Sequence, residues 1–575
     1  MLYRLIALLL WLPAWVVADC GSPATPISQI QGAGDQSPIV GQRVTVEGVV
    51  TLDSRGPGGF GGFYLQQPDA SQDDDPATSE ALFVYTGKGS LNAGERVRVT
   101  GTVKEFHGLT ELVGVQALSV CGAASLPATV KLSGLWPDST PPEALENMRV
   151  EITTPLTVID NYQLARYGEL VLAPERQWVP TQLMPPGTDA REQFQAQETH
   201  RLTLDDGRGL RNPSPVPYPP QGLDLASGAK VRAGNQVHDL NGVLDFRFGQ
   251  WRLQPLTTPR FTISNPRPGL PQAPPAGSLR VASFNLANYF NGNDGSFKAS
   301  RGAGNSAALA AQTVRLTAAI KALQTDVLAV MEVENDGFGT DSAVAALAGA
   351  LGEPWRYISS TERPGRDAIR VGLLYRDDRA EPVGPARVQP PTNGRRPALA
   401  QGFRARGGVE SFQVVAVHFK SKSCRNASGP DRDQHDGQSC YAHARRRAAE
   451  ALTAWLDQLP AEPRQIGTLI AGDLNSYARE WPLQTLATAG FNDLVRRQQG
   501  ERAYTFQFRG RAGTLDYLLA DRVLAERSLG ARTWAINADE TAALAYDGAG
   551  VPMTRAVEPW RSSDHDPLFT DLRLQ

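Results

Sequence analysis

A proline-rich stretch, Asn265-Pro266-Arg267-Pro268-Gly269 continuing through Pro271, Pro274 and Pro275, divides this chain into two parts with different sequence patterns. Proline fixes φ and has no backbone N–H, so neither a helix nor an interior strand runs through such a segment. Residues 265–277 are expected to form an extended, stiff linker. Ahead of it, short runs alternate apolar and polar side chains, as in Arg43-Val44-Thr45-Val46, Gly62-Phe63-Tyr64-Leu65 and Val97-Arg98-Val99-Thr100. That period-two pattern, broken by turn residues, predicts an all-β region. Beyond the linker, apolar strands at 279–286, 327–333, 369–375, 412–419 and 465–471 alternate with Ala/Leu/Arg-rich helices near 306–324 and 444–459. This alternation predicts one mixed α/β domain over 278–575. At 575 residues the chain is too long for a single core, so several domains are expected in any case.

The all-β region repeats itself. Gln42-Arg43-Val44 recurs as Met148-Arg149-Val150, and Gly62-Phe63-Tyr64-Leu65 with Pro68 recurs at the same spacing as Gly168-Glu169-Leu170-Val171 with Pro174. Ala93-Gly94, Val97 and Gly101 parallel Ala233-Gly234, Val237 and Gly242. The repeat predicts two small β-barrels, 19–123 and 124–264, the second carrying an insertion from Pro180 to Pro220.

The first residues form an address. Arg4 precedes an apolar run from Leu5 to Val17, and Val16-Val17-Ala18 suits cleavage after residue 18, so 1–18 is expected to be a signal peptide and the protein secreted, extracellular or periplasmic. Pro13 interrupts the run, which is too short for a membrane anchor, and no other anchor is visible. The four cysteines fit export, because disulfides persist in oxidising compartments. Four cysteines allow three connectivities. Locality within a domain favours Cys20–Cys121 and Cys424–Cys440.

In the last domain the polar residues of interest sit at strand ends. They are Asn285 after Ser283-Phe284, Glu332 closing Val327–Met331, His418 closing Val414–Val417, Asp473 and Asn475 after Leu469–Gly472, Asp516 within Thr514–Tyr517, and Asp564-His565-Asp566 before the last strand. Any one of these is more simply a polar strand end satisfied by a turn. Converging where several strands end, however, carboxylate and amide oxygens suit a hard divalent ion, and two histidines supply proton transfer.

In order, these pieces resemble the endonuclease/exonuclease/phosphatase superfamily, the group of deoxyribonuclease I and the abasic-site endonucleases. The matching segments are SFNLANYF at 283–290, MEVEND at 331–336, DAIRVGLLYR at 367–376, VAVHFKSKSC at 415–424, GDLNSY at 472–477, GTLDYLLA at 513–520 and SSDHDPL at 562–568. The resemblance is nearest to bacterial extracellular nucleases of the ExeM/NucH type, which often carry an OB-like barrel ahead of the catalytic domain. It implies a DNase I-like four-layer α/β sandwich in 278–575 behind two all-β OB-like barrels. It also implies that Glu332 is the main metal ligand with Asn285 and Asp564, and that Asp473 and Asn475 orient the attacking water. His418 and His565 become the catalytic histidines, with Asp516 orienting His565. The carboxylate partner of His418 is not evident; Asp367 is the candidate. A further departure is Ala442, where the family tends to place asparagine after the aromatic Tyr441.

The implied cofactor is a divalent metal, Mg²⁺ first, with Mn²⁺ or Ca²⁺ as alternatives, and the implied partner is nucleic acid, DNA before RNA. Oligomeric state is not legible, and a monomer is the default. A net charge of −3 excludes binding by bulk positive charge, so a local basic cluster is needed. Lys420, Lys422 and Arg445 are the candidates for phosphate, and at least one of Arg445 to Arg447 is expected to lie on a solvated helix face. Phe60, Phe63, Tyr64 and Trp251 are candidates for base stacking, although alternation buries half of such residues. Asp73-Asp74-Asp75 reads as a solvated acidic turn. The chain is therefore read as a secreted metal-dependent nuclease. The alternatives are a phosphatase or a lipid or inositol-phosphate phosphodiesterase on the same scaffold, or a catalytically inactive nucleic-acid-binding protein. Because every candidate catalytic residue follows the linker, 278–575 is expected to carry the chemistry alone.

Overall fold

The computed structural model describes residues 20–575 apart from 74, 88, 137–140, 293–296, 298–300, 363–364, 391–395 and 548–557. The expected signal peptide and Asp74 lie outside the described residues. The chain forms two compact units, one of 1–154, 203–210 and 239–259, the other of 155–202, 211–238 and 260–575. No helix among the described residues is long and apolar enough to cross a membrane.

In the first unit, strand Arg43–Ser54 pairs with Gly62–Gln66, which pairs with Ala81–Tyr85. Ala81–Tyr85 pairs in parallel with Leu109–Ala123, and Glu95–Phe106 joins that strand back to Arg43–Ser54. Each of the five strands thus has two neighbours and the ring of pairings closes. Alternation explains what fills it: Val44, Val46, Phe63, Leu65, Val97, Val99 and Leu112 all point into one buried cluster. Cys20 is bonded to Cys121. Phe63 and Tyr64 are fully buried, so neither is a stacking platform, and Phe60 and Trp251 are half-buried. Tyr64 spends its hydroxyl on the buried Asp245, 2.8 Å away. Asp73 accepts the amide of Asp75 and the Thr78 hydroxyl, as an acidic turn does. The repeat over 124–264 does not close a second ring among the described residues; its strands are shared between the two units.

The second unit is built on two six-stranded sheets. One runs in the order Trp355–Tyr357, Ile369–Arg376, Val327–Glu334, Ser278–Tyr289, Leu568–Arg573, Ser528–Thr533. The other runs Ala380–Val388, Leu399–Ala405, Ser411–His418, Gln465–Asp473, Asp516–Ala520, Asn492–Asp493. Their central strands read as near-continuous apolar runs because both faces are covered. Val281, Val327, Ala329 and Val371 of the first sheet pack on Phe412, Val414, Leu469 and Leu518 of the second. On the outer face of the first sheet lie helices Ser306–Leu323 and Ala343–Leu351, through Leu316, Ile320 and Leu347. Helices Ala442–Leu456 and Trp481–Thr488 cover the second sheet through Ala449, Leu452 and Leu486. The result is a four-layer sandwich of helices, sheet, sheet and helices.

The compact unit that holds the sandwich extends upstream of residue 278. Upstream residues belong to the same unit: Gln177–Trp178 runs parallel to Arg511–Gly513 and extends the hairpin made with Phe506–Phe508. The buried carboxylate of Asp539 receives Arg232 at 3.1 Å, Asn265 Nδ2 at 2.8 Å, Tyr504 Oη at 2.6 Å, and Arg176. Arg267 forks onto Glu540 at 2.7 and 2.8 Å, and Trp534 Nε1 donates to the Gly269 carbonyl. Residues 265–269, expected to be a spacer, are thus pinned to the sandwich by charge and hydrogen bonds. Burial opposes ionisation of Asp539, but Arg176 and Arg232 outweigh it and hold the carboxyl down at about 2.

Asp539→Ala would leave Arg232 buried with only part of its compensation, a loss expected to cost about 3–5 kcal/mol in urea unfolding at neutral pH. A lowered carboxyl adds stability above its unfolded value of about 3.9 and loses it as pH falls through the folded value. The gap between wild type and variant should therefore shrink steadily between pH 4 and pH 2. A gap that stays constant over that range would contradict the assigned charge.

Candidate functional site

Strand register gathers the site. His418 ends one strand and Asp473 ends the parallel strand beside it, and the two are paired in register. Asp473 is in turn paired with Asp516, which opens the next strand. Three polar residues distant in sequence thus stand side by side at one edge of a buried sheet. The close approach depends on Gly472, which has φ +152°; a Cβ there would lie 2.0 Å from the Val417 carbonyl oxygen. In the other sheet Asn285 is paired with Met331, which sets Glu332 next to Asn285. Register shifts on both of these strands mark bulges, and Glu332 takes φ +61°. A bulge re-aims a side chain that regular alternation would send elsewhere, and left-handed backbone at a non-glycine residue is the kind of strain that sites retain.

His565 Nδ1 and Asp516 Oδ2 lie 2.7 Å apart. The same oxygen accepts from Thr505 Oγ1 at 2.7 Å, and the Thr505 hydroxyl is reached by the amides of Leu515 and Asp516. Asp516 Oδ1 is buried without a hydrogen-bond partner among the described residues. The Phe506 ring lies 4.5 Å from the imidazole. Burial by itself would lower His565, but Asp516 and then Asp564 and Asp473 outweigh it and raise its pKa well above the usual imidazole range.

Asp473 is the hub of the second cluster. Its Oδ1 accepts the Asn475 amide at 2.7 Å, and Oδ2 accepts Asn475 Nδ2 at 3.1 Å and Asn285 Nδ2 at 3.2 Å. Burial, and then the neighbouring Asp516, push its carboxyl up to about 7. Glu332 is half-buried and is raised too, first by burial and then by Asp564. His418 Nε2 lies 3.5 Å from Asp473 and 3.9 Å from Glu332.

The expected partner of His418 is replaced. Asp367 lies 3.6 Å from Arg396 Nε, and Arg396 Nη1 stands 2.6 Å from both imidazole nitrogens. The arginine is interposed, so the carboxylate reaches the histidine only through a cation. His418 is consequently pushed well below the ordinary range, by burial first, then by Arg396 and His565. Arg396 and Thr505 carry no periodic or motif signal in the sequence: Arg396 sits in a loop and Thr505 in a bend.

Two of the three basic candidates turn inward. Lys422 Nζ donates to both oxygens of the buried Glu480 at 2.6 Å, and burial lowers it to about 8. Arg445 is fully buried, bonded to the carbonyls of Cys440 and Gln438 and to Ser476, and 3.9 Å from Glu480. These two residues brace the loop that the Cys424–Cys440 disulfide closes and do not present charge to a phosphate. Lys420 lines the cleft at His418 and Arg396, with its ammonium over the Tyr441 ring. Arg446 and Arg447 occupy the solvated helix face.

Asp473, Asp516 and His565 offer ligand atoms that all lie within 4.8 Å of one another, a set able to hold a metal ion. Of the residues expected as ligands, Asn285 bonds Asp473, Glu332 lies 3.9 Å from His418, and Asp564 adds to the charge that raises Glu332.

Glu480→Ala would strand Lys422 and Arg445 as buried cations. An unfolding free energy about 3–5 kcal/mol lower is expected by urea titration, and a loss below about 1 kcal/mol would mean that water reaches the two cations.

Among solved structures with similarity to this chain are the endonuclease/exonuclease/phosphatase from Bacteroides vulgatus, 19% identical over 52% of this chain and 99% of that one, with a TM-score of 0.34. Others are the human Nocturnin catalytic domain with bound sulfate anion (15% identity, 53% and 97% covered, TM-score 0.34) and an AP endonuclease from Archaeoglobus fulgidus (16%, 52% and 100%, TM-score 0.31). No curated protein matches the chain. Residues 142–265 match a domain of unknown function, DUF8508. Residues 282–565, which hold every residue of the site, match the Endonuclease/Exonuclease/phosphatase family.

Proposed function

We propose that this protein is a metal-dependent nuclease that hydrolyses phosphodiester bonds of DNA, secreted from the cell and akin to the bacterial extracellular nucleases. The observation that carries this reading is the pairing of Asp516 with His565 at 2.7 Å beside Asp473, two ionisable groups whose environments push them toward opposite tasks. A carboxyl poised near 7 accepts a proton at neutral pH, while a histidine held well above its usual value keeps one to give.

The reaction then divides as follows. Asp473, steadied by Asn475 and Asn285, takes the proton of the attacking water as its oxygen bonds to phosphorus. The ester bond opposite breaks, and the leaving oxygen takes the proton of the His565 imidazolium, whose Nδ1 stays on Asp516. His418, uncharged beside Arg396, orients the water and Asp473. Arg396 and Lys420 supply the local positive charge that the net charge of the chain does not.

Donor chemistry fits a hard divalent cation, because the cleft offers oxygen ligands. Burial first, and then the charge of Asp564, raise the Glu332 carboxyl, an environment that a bound cation would relieve. Glu332, Asp564 and Asn285 would hold the ion, with Mg²⁺ the best match and Mn²⁺ or Ca²⁺ alternatives; bound there it would neutralise charge on the phosphate. The closed five-stranded ring of the first unit, read as an OB-like barrel, would guide long strands.

Plasmid DNA, RNA and a phosphate monoester, each with and without chelator, test the reading. Cleavage of DNA that stops in chelator and returns with Mg²⁺ or Mn²⁺ is expected; full turnover in chelator, or turnover of the monoester alone, would overturn it. His565→Ala and His418→Ala should each lower kcat about 10²–10⁴-fold at nearly constant Tm. Since the chemistry uses the imidazolium, kcat should fall as pH rises past the raised value of His565. Asp516→Asn should move that fall to lower pH.

A further inference from the structure

Thr181 and Gln182 belong to the short helix Pro180–Leu183, well upstream of the proline-rich stretch and within the expected insertion. Both are buried, and both face the sandwich. Gln182 Oε1 accepts the amide of Thr514 at 3.0 Å and of Ala478 at 3.4 Å. Its Nε2 donates to the carbonyls of Ala503 at 3.3 Å and Glu501 at 3.1 Å. Four bonds use all that a side-chain amide can offer. Thr181 adds its hydroxyl to Glu480 at 2.9 Å and accepts the Arg479 amide through its carbonyl.

These contacts fall on the chain segments that carry Asp473, Thr505 and Asp516. Ala478 follows the Asp473–Asn475 turn. Thr514 is two residues ahead of Asp516. Ala503 is two residues ahead of Thr505, whose hydroxyl fixes Asp516 and whose carbonyl accepts the amide of Asp566, next to His565. Thr514 Oγ1 also donates to the Ala503 carbonyl, so Gln182 completes a bridge between the Thr505 and Asp516 segments.

We propose that Gln182 is a positioning residue for the Asp516–His565 pair, so that the catalytic apparatus includes a segment from before the linker. One amide fixes the spacing of the segments carrying Thr505 and Asp516, and this spacing sets whether Asp516 Oδ2 can hold Thr505 and His565 at once. An arrangement misplaced by even a fraction of an ångström loses rate without losing substrate affinity. The inference deepens the hydrolytic reading and rests on it for the role of His565; the geometry it predicts for the pair is independent of that reading.

The test uses the full chain with Gln182→Met, which keeps length and removes every hydrogen bond, and Gln182→Glu, which keeps the acceptor for Thr514 and Ala478. Three quantities are read: kcat and KM on duplex DNA with Mg²⁺, the downfield proton resonance lost in His565→Ala, and the Gln182→Met effect in the His565→Ala background. Gln182→Met should lower kcat about tenfold with KM within about twofold, and should shift or broaden the His565 resonance. Gln182→Glu, which sets an oxygen against the carbonyls of Ala503 and Glu501, should also lower kcat below wild type. In the His565→Ala background Gln182→Met should cost nothing further, since the two act through one pair. An unchanged resonance, or an equal loss of kcat in both backgrounds, would overturn the proposal. Should Gln182→Met fail to fold, Gln182→Glu decides, and wild-type kcat with an unshifted resonance would overturn it. A fully active His565→Ala enzyme would sink the hydrolytic reading instead, and the resonance would still judge the positioning.

Discussion

One oxygen of Asp516 accepts hydrogen bonds from His565 and from Thr505, both at 2.7 Å, inside a region closed to solvent. A buried carboxylate is costly unless its lone pairs are met, so this oxygen dictates where its partners stand. Thr505 is held by the amides of the Asp516 strand, and its carbonyl takes the amide that follows His565. The turn before the last strand and the strand carrying Asp516 belong to different sheets, and this small network joins them at the site. Remove the carboxylate and His565 loses both its orientation and the charge that keeps it protonated.

Around that pair the site sorts protons by environment. Asp473, buried and crowded by Asp516, resists ionisation, and His565 resists deprotonation. His418, beside Arg396, stays neutral. Two histidines that look alike in sequence therefore have unlike roles, because one neighbour is a carboxylate and the other a guanidinium. Electrostatic arrangement of this kind, fixed before substrate arrives, is what lowers a barrier where charge develops.

The residues at strand ends were legible because an apolar run that must be buried also tells where it stops, and polar groups at such stops stand out. His418, Asp473 and Asp516 become neighbours only through register, which the alternation alone does not reveal. Lys422 and Arg445 looked like phosphate ligands because they follow His418 and lie in a basic run. Their partner Glu480 comes later in the chain and carries no signal of its own. Asp367 shares strand parity with Ile369, and only the structure shows Arg396 between it and His418.

By itself the sequence determined the mixed α/β character of the last domain, its ordered strand-end residues and the alternating strands of the first unit, because periodicity of burial is a local property of the chain. Tertiary structure alone decided which charges pair, which stretch closes a ring, and where the second unit begins. Gln182 and Arg232 lie upstream of a proline-rich segment that reads as a border, yet each satisfies buried polar groups far along the chain. No local pattern foretells such contacts. They exist because a buried amide or carboxylate must find a partner wherever the folded chain brings one within reach.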